Sequence, residues 1–228
     1  MLQRAHRSFV GQYEVALRYG LTPGELFRFL VGTGRIAGKA VVVPMQGYQR
    51  SMWYSETGLP WIKPSPNIPD EEAALLYPGT VFFEATNLSE GRGTEAPLKQ
   101  IGAPWMTDAS AIATEMNAMN LRGVRFEAHR VSVRRGEKYG GRSIPVDRIR
   151  IIARDDANVI AASAWLLRTI RRRHPRDFSW QRGSGIEQLT GTPAFRRAID
   201  RGGLSELLAR WERESRDFQS ATRPYLLY

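Results

Sequence analysis

The 228-residue chain contains no cysteine, which removes disulfides, thiolate nucleophiles and cysteine-based metal centres at once. Histidine is scarce: His6, His129 and His174 lie far apart and show no ligand spacing, so neither a zinc nor a haem site is expected. Long apolar runs are missing too. The best, Ala157 to Leu167, is broken by Asn158 and Ser163 and falls short of the roughly 20 residues a membrane helix needs. The segment Met1 to Ser8 carries basic residues with no apolar stretch or small-residue cleavage site behind them, so it is not read as a secretory leader. As it stands the chain is expected to be cytoplasmic with no membrane partner, and the compartment of a parent protein stays open, export included.

What is present is globular in kind. Apolar residues make up 42% and charged ones 25%, values of a folded domain rather than a disordered or fibrous chain. The length fits one large domain or one and a half. A net charge of +10 raises nucleic acid as a partner, but its distribution argues otherwise. Residues 51–121 hold three basic and nine acidic side chains, so the excess lies at the two ends. The most obvious basic cluster, Arg171-Arg172-Arg173-His174, falls where a helix should end, and cations there complement the helix dipole. No nucleic-acid partner is expected.

The pattern predicts an α+β fold: a mixed sheet of about four strands flanked by helices, two long functional loops and a helical carboxyl third. Thr22-Pro23-Gly24-Glu25 reads as a capped helix start. Ala40 to Met45, β-branched and short, reads as a strand. Gly47 to Pro69 has no period and reads as a long loop, a kind that usually carries function. Asp70 caps a short helix that Pro78-Gly79 should stop. Thr80 to Leu88 reads as a strand delivering the polar loop Asn87 to Thr94, with Glu84 on its face beside Phe82 and Thr86. A helix over Ala109 to Asn120, strands over Gly123 to Val133 and Arg148 to Asp155, and helices from Val159, Thr192 and Leu204 complete the prediction.

Chemistry concentrates in the two loops of the acidic middle. Tyr48, Trp53, Tyr54 and Trp61 supply flat rings, while Ser65, Asn67, Asn87, Ser89, Glu90, Arg92 and Thr94 supply donors and acceptors. Rings for apolar CH patches and short polar side chains for hydroxyls are what a sugar surface needs, although large aromatics are as often simply core. Glu84 and Glu90 would suit paired carboxylate roles in glycoside hydrolysis. Arg92 sits between Gly91 and Gly93, where backbone can approach a ligand and a guanidinium fork suits a carboxylate.

Longer motifs then identify a relative. Val43-Pro44-Met45-Gln46-Gly47-Tyr48, Arg50-Ser51-Met52-Trp53, Thr57-Gly58-Leu59-Pro60-Trp61, Ser65-Pro66-Asn67, Tyr77-Pro78-Gly79, the run Thr86 to Thr94 and Ile101-Gly102-Ala103-Pro104-Trp105 resemble the NamZ-type exo-β-N-acetylmuramidase family, formerly a domain of unknown function. The resemblance covers essentially the whole chain. It implies removal of terminal N-acetylmuramic acid from peptidoglycan fragments without metal or organic cofactor. Members of that family are nearly twice this long, with the proposed catalytic glutamate in a preceding α/β half. Residues 1–38 are therefore expected to be the end of an amino-terminal domain, with 39–228 forming the carboxyl-terminal one.

The resemblance further implies Arg92 on the lactyl carboxylate, Asn67, Asn87 and Ser89 on hydroxyl or acetamido groups, and Trp53, Trp61 or Trp105 stacking on the ring. Glu90 and Glu84 would take auxiliary acid–base or orienting roles, with Ser65 and Thr94 as further contacts. Two departures from the family pattern, Tyr19 for a usual histidine and Lys99 for a common acidic residue, bear on a site at the junction of the halves. The leading expectation is the substrate-recognising part of such a hydrolase, with a separate amino-terminal half as a candidate partner chain. The alternatives are a non-catalytic peptidoglycan-fragment module or pseudoenzyme, and an arginine-rich nucleic-acid binder.

Overall fold

A computed structural model describes residues 1–39, 41–183 and 185–228. Helix α1 (Pro23–Gly32) starts as its sequence predicts. Thr22 accepts from the Glu25 amide while the Glu25 carboxylate accepts from the Thr22 amide at 2.8 Å. Phe29 and Leu30 turn inward and, with Ala16 and Phe218, make a small core where the chain ends meet. Glu25 is fully buried, and besides Thr22 it holds Arg50 and the Leu227 amide, the latter at 2.8 Å. One carboxylate thus joins α1, the long loop and the carboxyl terminus. Burial works against its charge, but these donors outweigh it and hold the group down at about 2.

Two predicted strands are corrected. Ala40 lies outside the described residues, and Val41 to Met45 has no regular structure, with Val41 and Val43 largely exposed. A β-branched run forms a strand only where a neighbour takes up its ladder bonds. The run Thr80 to Leu88 is no strand either. Helix α2 (Glu71–Thr80), capped by Asp70 on the Ala73 amide at 2.9 Å, passes through Pro78 and Gly79 and tightens into a 3-10 turn over Val81–Ala85. Val81, Phe82, Phe83, Ala85 and Leu88 are all buried, and a continuous apolar run does not distinguish a buried strand from a buried helical turn.

Among the described residues three antiparallel strands form the sheet, in the order β1-β3-β2, rather than about four. They are β1 (Gln100–Gly102), β2 (Val124–Ser132) and β3 (Ser143–Ile151). The strand expected over Arg148 to Asp155 starts earlier and ends earlier. Pro145 is accommodated one residue beyond the stretch that β1 pairs, Val146 to Arg148. Helix α3 (Ala109–Ala118) packs on β2 and β3, and α4 (Val159–Arg173) packs on α2 and α3. Beyond them pack α5 (Gly185–Thr190), α6 (Ala194–Arg201) and α7 (Leu204–Thr222).

Phe195 is fully buried between Phe82, 4.7 Å away, and Trp211, stacked at 5.7 Å. The fold is α+β, and the carboxyl third is helical as predicted. Arg171, Arg172 and Arg173 close α4 in ion pairs with Asp200, Glu115 and Asp108. Among the described residues no helix is long and apolar enough to cross a membrane.

Candidate functional site

The 3-10 turn after α2 ends where the Thr86 amide and hydroxyl both donate to the Phe83 carbonyl, and the next residues form a loop stitched to its surroundings. Ser89 and Gly102 exchange both backbone bonds, at 2.8 and 3.0 Å, the Leu98 amide donates to Glu90, and the Arg134 amide donates to Gly93. Gly91 has φ +82°, and a Cβ there would stand 2.8 Å from the Ala96 carbonyl oxygen, so this turn needs glycine. The loop is therefore a rigid platform rather than a flexible connector.

On it Arg92 gathers two carboxylates. One terminal nitrogen donates to Glu90 Oε1 at 2.7 Å and the other to Glu84. Glu84 reaches this point from the 3-10 turn rather than from a strand face. Lys138 Nζ donates to the carbonyls of Leu88 at 2.6 Å and Thr86 at 3.1 Å and lies 3.5 Å from Glu90 Oε2. Glu90 is only 5% exposed, and its Oε2 has no hydrogen-bond partner. Burial opposes the charge on Arg92, but Glu84 and Glu90 more than offset it and raise its pKa. Tyr77 completes the cluster: burial, then the Glu84 charge, raise its hydroxyl, with Arg92 acting in the other direction.

The remaining predicted residues divide into two groups. Asn87 is engaged at both amide atoms, donating to the Asp177 carbonyl at 2.7 Å and accepting from the Ser179 amide at 3.0 Å. Ser89 accepts from the Gly91 amide, and Thr94 donates to the Gly91 carbonyl at 2.6 Å and accepts from Gln100 at 2.7 Å. These three side chains shape the loop. Trp53 and Trp61 lie in another cluster: Trp53 donates to Asp155 at 2.8 Å under the Arg154 guanidinium, and Trp61 meets Tyr54 edge to face and donates to the Ile68 carbonyl. Ser65 accepts from the Asn67 amide at 3.4 Å. Among the described residues no hydrogen bond or ion pair links that cluster directly to Arg92. Lys99 pairs with Asp70 at 2.7 Å, bracing the start of α2.

Sequence reasoning missed Lys138 and Tyr77 as neighbours of the carboxylates, and a buried polar set behind the sheet. In it Trp105, the third ring the sequence singled out, packs on the His174 ring with its indole nitrogen unpartnered, and His174 bonds Asp108 at 2.6 Å. Asp147 on β3 is fully buried with both oxygens unpartnered. Burial, and secondly the Asp108 charge, push it up to about 8. Alternation along β3 offered a signal, since Asp147 shares a face with Ile149.

The same α+β scaffold has been solved in two DUF1343 family proteins from Bacteroides fragilis NCTC 9343. One superposes with a TM-score of 0.92 at 25% identity and the other with 0.73 at 26% identity, each over all of this chain and 61% of the solved one. The class is thus that of DUF1343-type folds. The sequence carries the assignment further: the carboxyl-terminal model of exo-β-N-acetylmuramidase NamZ matches residues 75–228 and the amino-terminal model matches 1–72. The chain belongs to the NamZ family. It is 31% identical over its full length to the peptidoglycan β-N-acetylmuramidase NamZ of Bacillus subtilis strain 168, of which it spans 55%.

Proposed function

We propose that the chain is the substrate-recognising part of an exo-β-N-acetylmuramidase acting on terminal N-acetylmuramic acid of peptidoglycan fragments. The observation that carries this reading is the family match over residues 1–72 and 75–228, nearly the whole chain. The glycine loop supports it. A buried acceptor without a hydrogen bond, such as Glu90 Oε2, which has only the Lys138 ammonium at 3.5 Å, gains when a donor arrives, and a sugar hydroxyl is a donor. Paired carboxylates are also the usual equipment of glycoside hydrolysis, so Glu90 and Glu84 take the orienting or acid–base roles. Arg92 holds both in place; binding a lactyl carboxylate there requires Glu84, the more exposed partner, to give way. Asn87, Ser89 and Thr94 fix the loop, while Ser65, Asn67, Trp53, Trp61 and Trp105 are the further substrate contacts in this reading.

Calorimetric titration of the full chain with an N-acetylmuramic acid–N-acetylglucosamine disaccharide tests the reading. Binding is expected, and Glu90→Gln should weaken it by roughly the 1.5–3 kcal/mol of a hydrogen bond to a charged group. Failure to bind, or equal affinity for a disaccharide of N-acetylglucosamine alone, would overturn it. A non-catalytic module is the second reading, favoured by the ion pairs that tie both Glu84 and Glu90 to Arg92. Turnover of a chromogenic muramic acid glycoside by this chain alone would exclude it.

A further inference from the structure

A muramic acid carries a negative charge, and the fork of Arg92 is already filled by Glu84 and Glu90. A groove elsewhere on the chain meets that need. A groove of about 950 Å³ runs between the start of α4, the carboxyl-terminal half of α7 and the turn at Arg18 to Leu21, within the range of ligand pockets, roughly 300–1,000 Å³. Its walls carry four arginines, Arg18, Arg50, Arg216 and Arg223, against one acidic residue, Asp156. Arg50 is committed to Glu25, and Asp156 is itself paired with Arg122. Among the described residues, Arg18, Arg216 and Arg223 form no ion pair.

Three uncompensated guanidinium groups around one concavity create a positive field that a low-dielectric wall focuses, and the amino-terminal end of α4 adds to it. The rest of the lining suits a sugar rather than a bare ion. Phe218 and Leu226 give an apolar floor, while the side chains of Tyr19 and Gln219 present polar ends that make no hydrogen bond among the described residues. A guanidinium binds a carboxylate in two parallel bonds, which distinguishes a carboxylated sugar from its neutral parent.

We propose that this groove binds a carboxylate-bearing saccharide, with Arg216, Arg223 and Arg18 receiving the carboxylate. The site shares no residue with the Arg92 cluster, and its assignment to muramic acid in particular rests on the proposed function. Titration of the full chain with the methyl glycosides of N-acetylmuramic acid and N-acetylglucosamine, and with glucuronic acid, separates the two ideas. The wild type should prefer the muramic acid glycoside. The exposed double substitution Arg216→Gln/Arg223→Gln should lower that affinity at least tenfold, leave the melting temperature unchanged, and be partly rescued by lysine at both positions.

Unchanged affinity for both acids in the double variant would overturn the groove. If Glu90→Gln abolishes muramic acid binding while the arginine variant does not, the functional reading stands and the groove falls. If glucuronic acid binds with the arginine dependence but muramic acid does not bind at all, the groove stands as a site for carboxylated sugars and the muramidase reading falls. Binding of neither acid overturns the groove.

Discussion

Asp147 offers the sharpest test of the energetics, because a fully buried carboxyl without a hydrogen-bond partner should make stability fall as pH rises. In register it lies opposite Ile101 on β1 and Ala128 on β2, and both of its carboxyl oxygens are buried. Burial, with the Asp108 carboxylate second, pushes it up to about 8, whereas in the unfolded chain it ionises near 3.9, as ordinary aspartates do. Between those values the folded state holds a proton that the unfolded state has lost, so each pH unit removes about 1.4 kcal/mol.

From pH 5 to pH 7 the loss is about 3 kcal/mol, and at roughly 2–4 °C per kcal/mol for a chain of this size the melting temperature should drop by about 6–12 °C. Asp147→Asn removes the proton and with it the slope. Glu25, held at about 2, and Asp70 and Asp108, both lowered, act in the opposite sense, but their contributions are lost only in acid, below the window used. Circular dichroism melts of both proteins from pH 5 to pH 8 read the difference. The same pH slope in the variant as in the wild type would refute the reasoning, whatever the absolute stabilities.

Glu25→Ala should destabilise by about 3–5 kcal/mol in urea unfolding at pH 7, since it leaves Arg50 and the Thr22 and Leu227 amides without their shared acceptor; a loss under 1 kcal/mol would show that the clamp is dispensable. Gly91→Ala should cost more than the roughly 1–2 kcal/mol of a left-handed backbone alone, because its Cβ also meets the Ala96 carbonyl. Gly34→Ala, with a similar φ of +68° and open space around it, is the comparison, and equal losses at the two sites would contradict the packing argument.

Local chemistry was legible wherever neighbours in the chain decide the outcome. The Thr22–Glu25 capping box and the Asp70 cap are set by residues three apart, and the helical carboxyl third follows from its apolar stripe. The long motifs through Arg92 and Trp105 placed the chain in its family. The errors fall where partners are distant. Whether Val41 to Val43 becomes a strand depends on a neighbouring edge that the fold does not bring, and the run from Val81 to Leu88 is buried in either geometry, so its pattern carried no choice.

The sequence by itself determined the excluded chemistries, the helix caps, the α+β class and the membership in the NamZ family, since each depends on composition or on residues close along the chain. Only the tertiary structure decided that Arg92 is held between two glutamates, that Asp147 lies dry beneath the sheet, and that three arginines from chain segments some 200 residues apart share one groove. Charge and polarity take their meaning from what surrounds them: a guanidinium or carboxylate reads the same in sequence whether it is paired, stranded or open to a ligand, and only packing distinguishes the three.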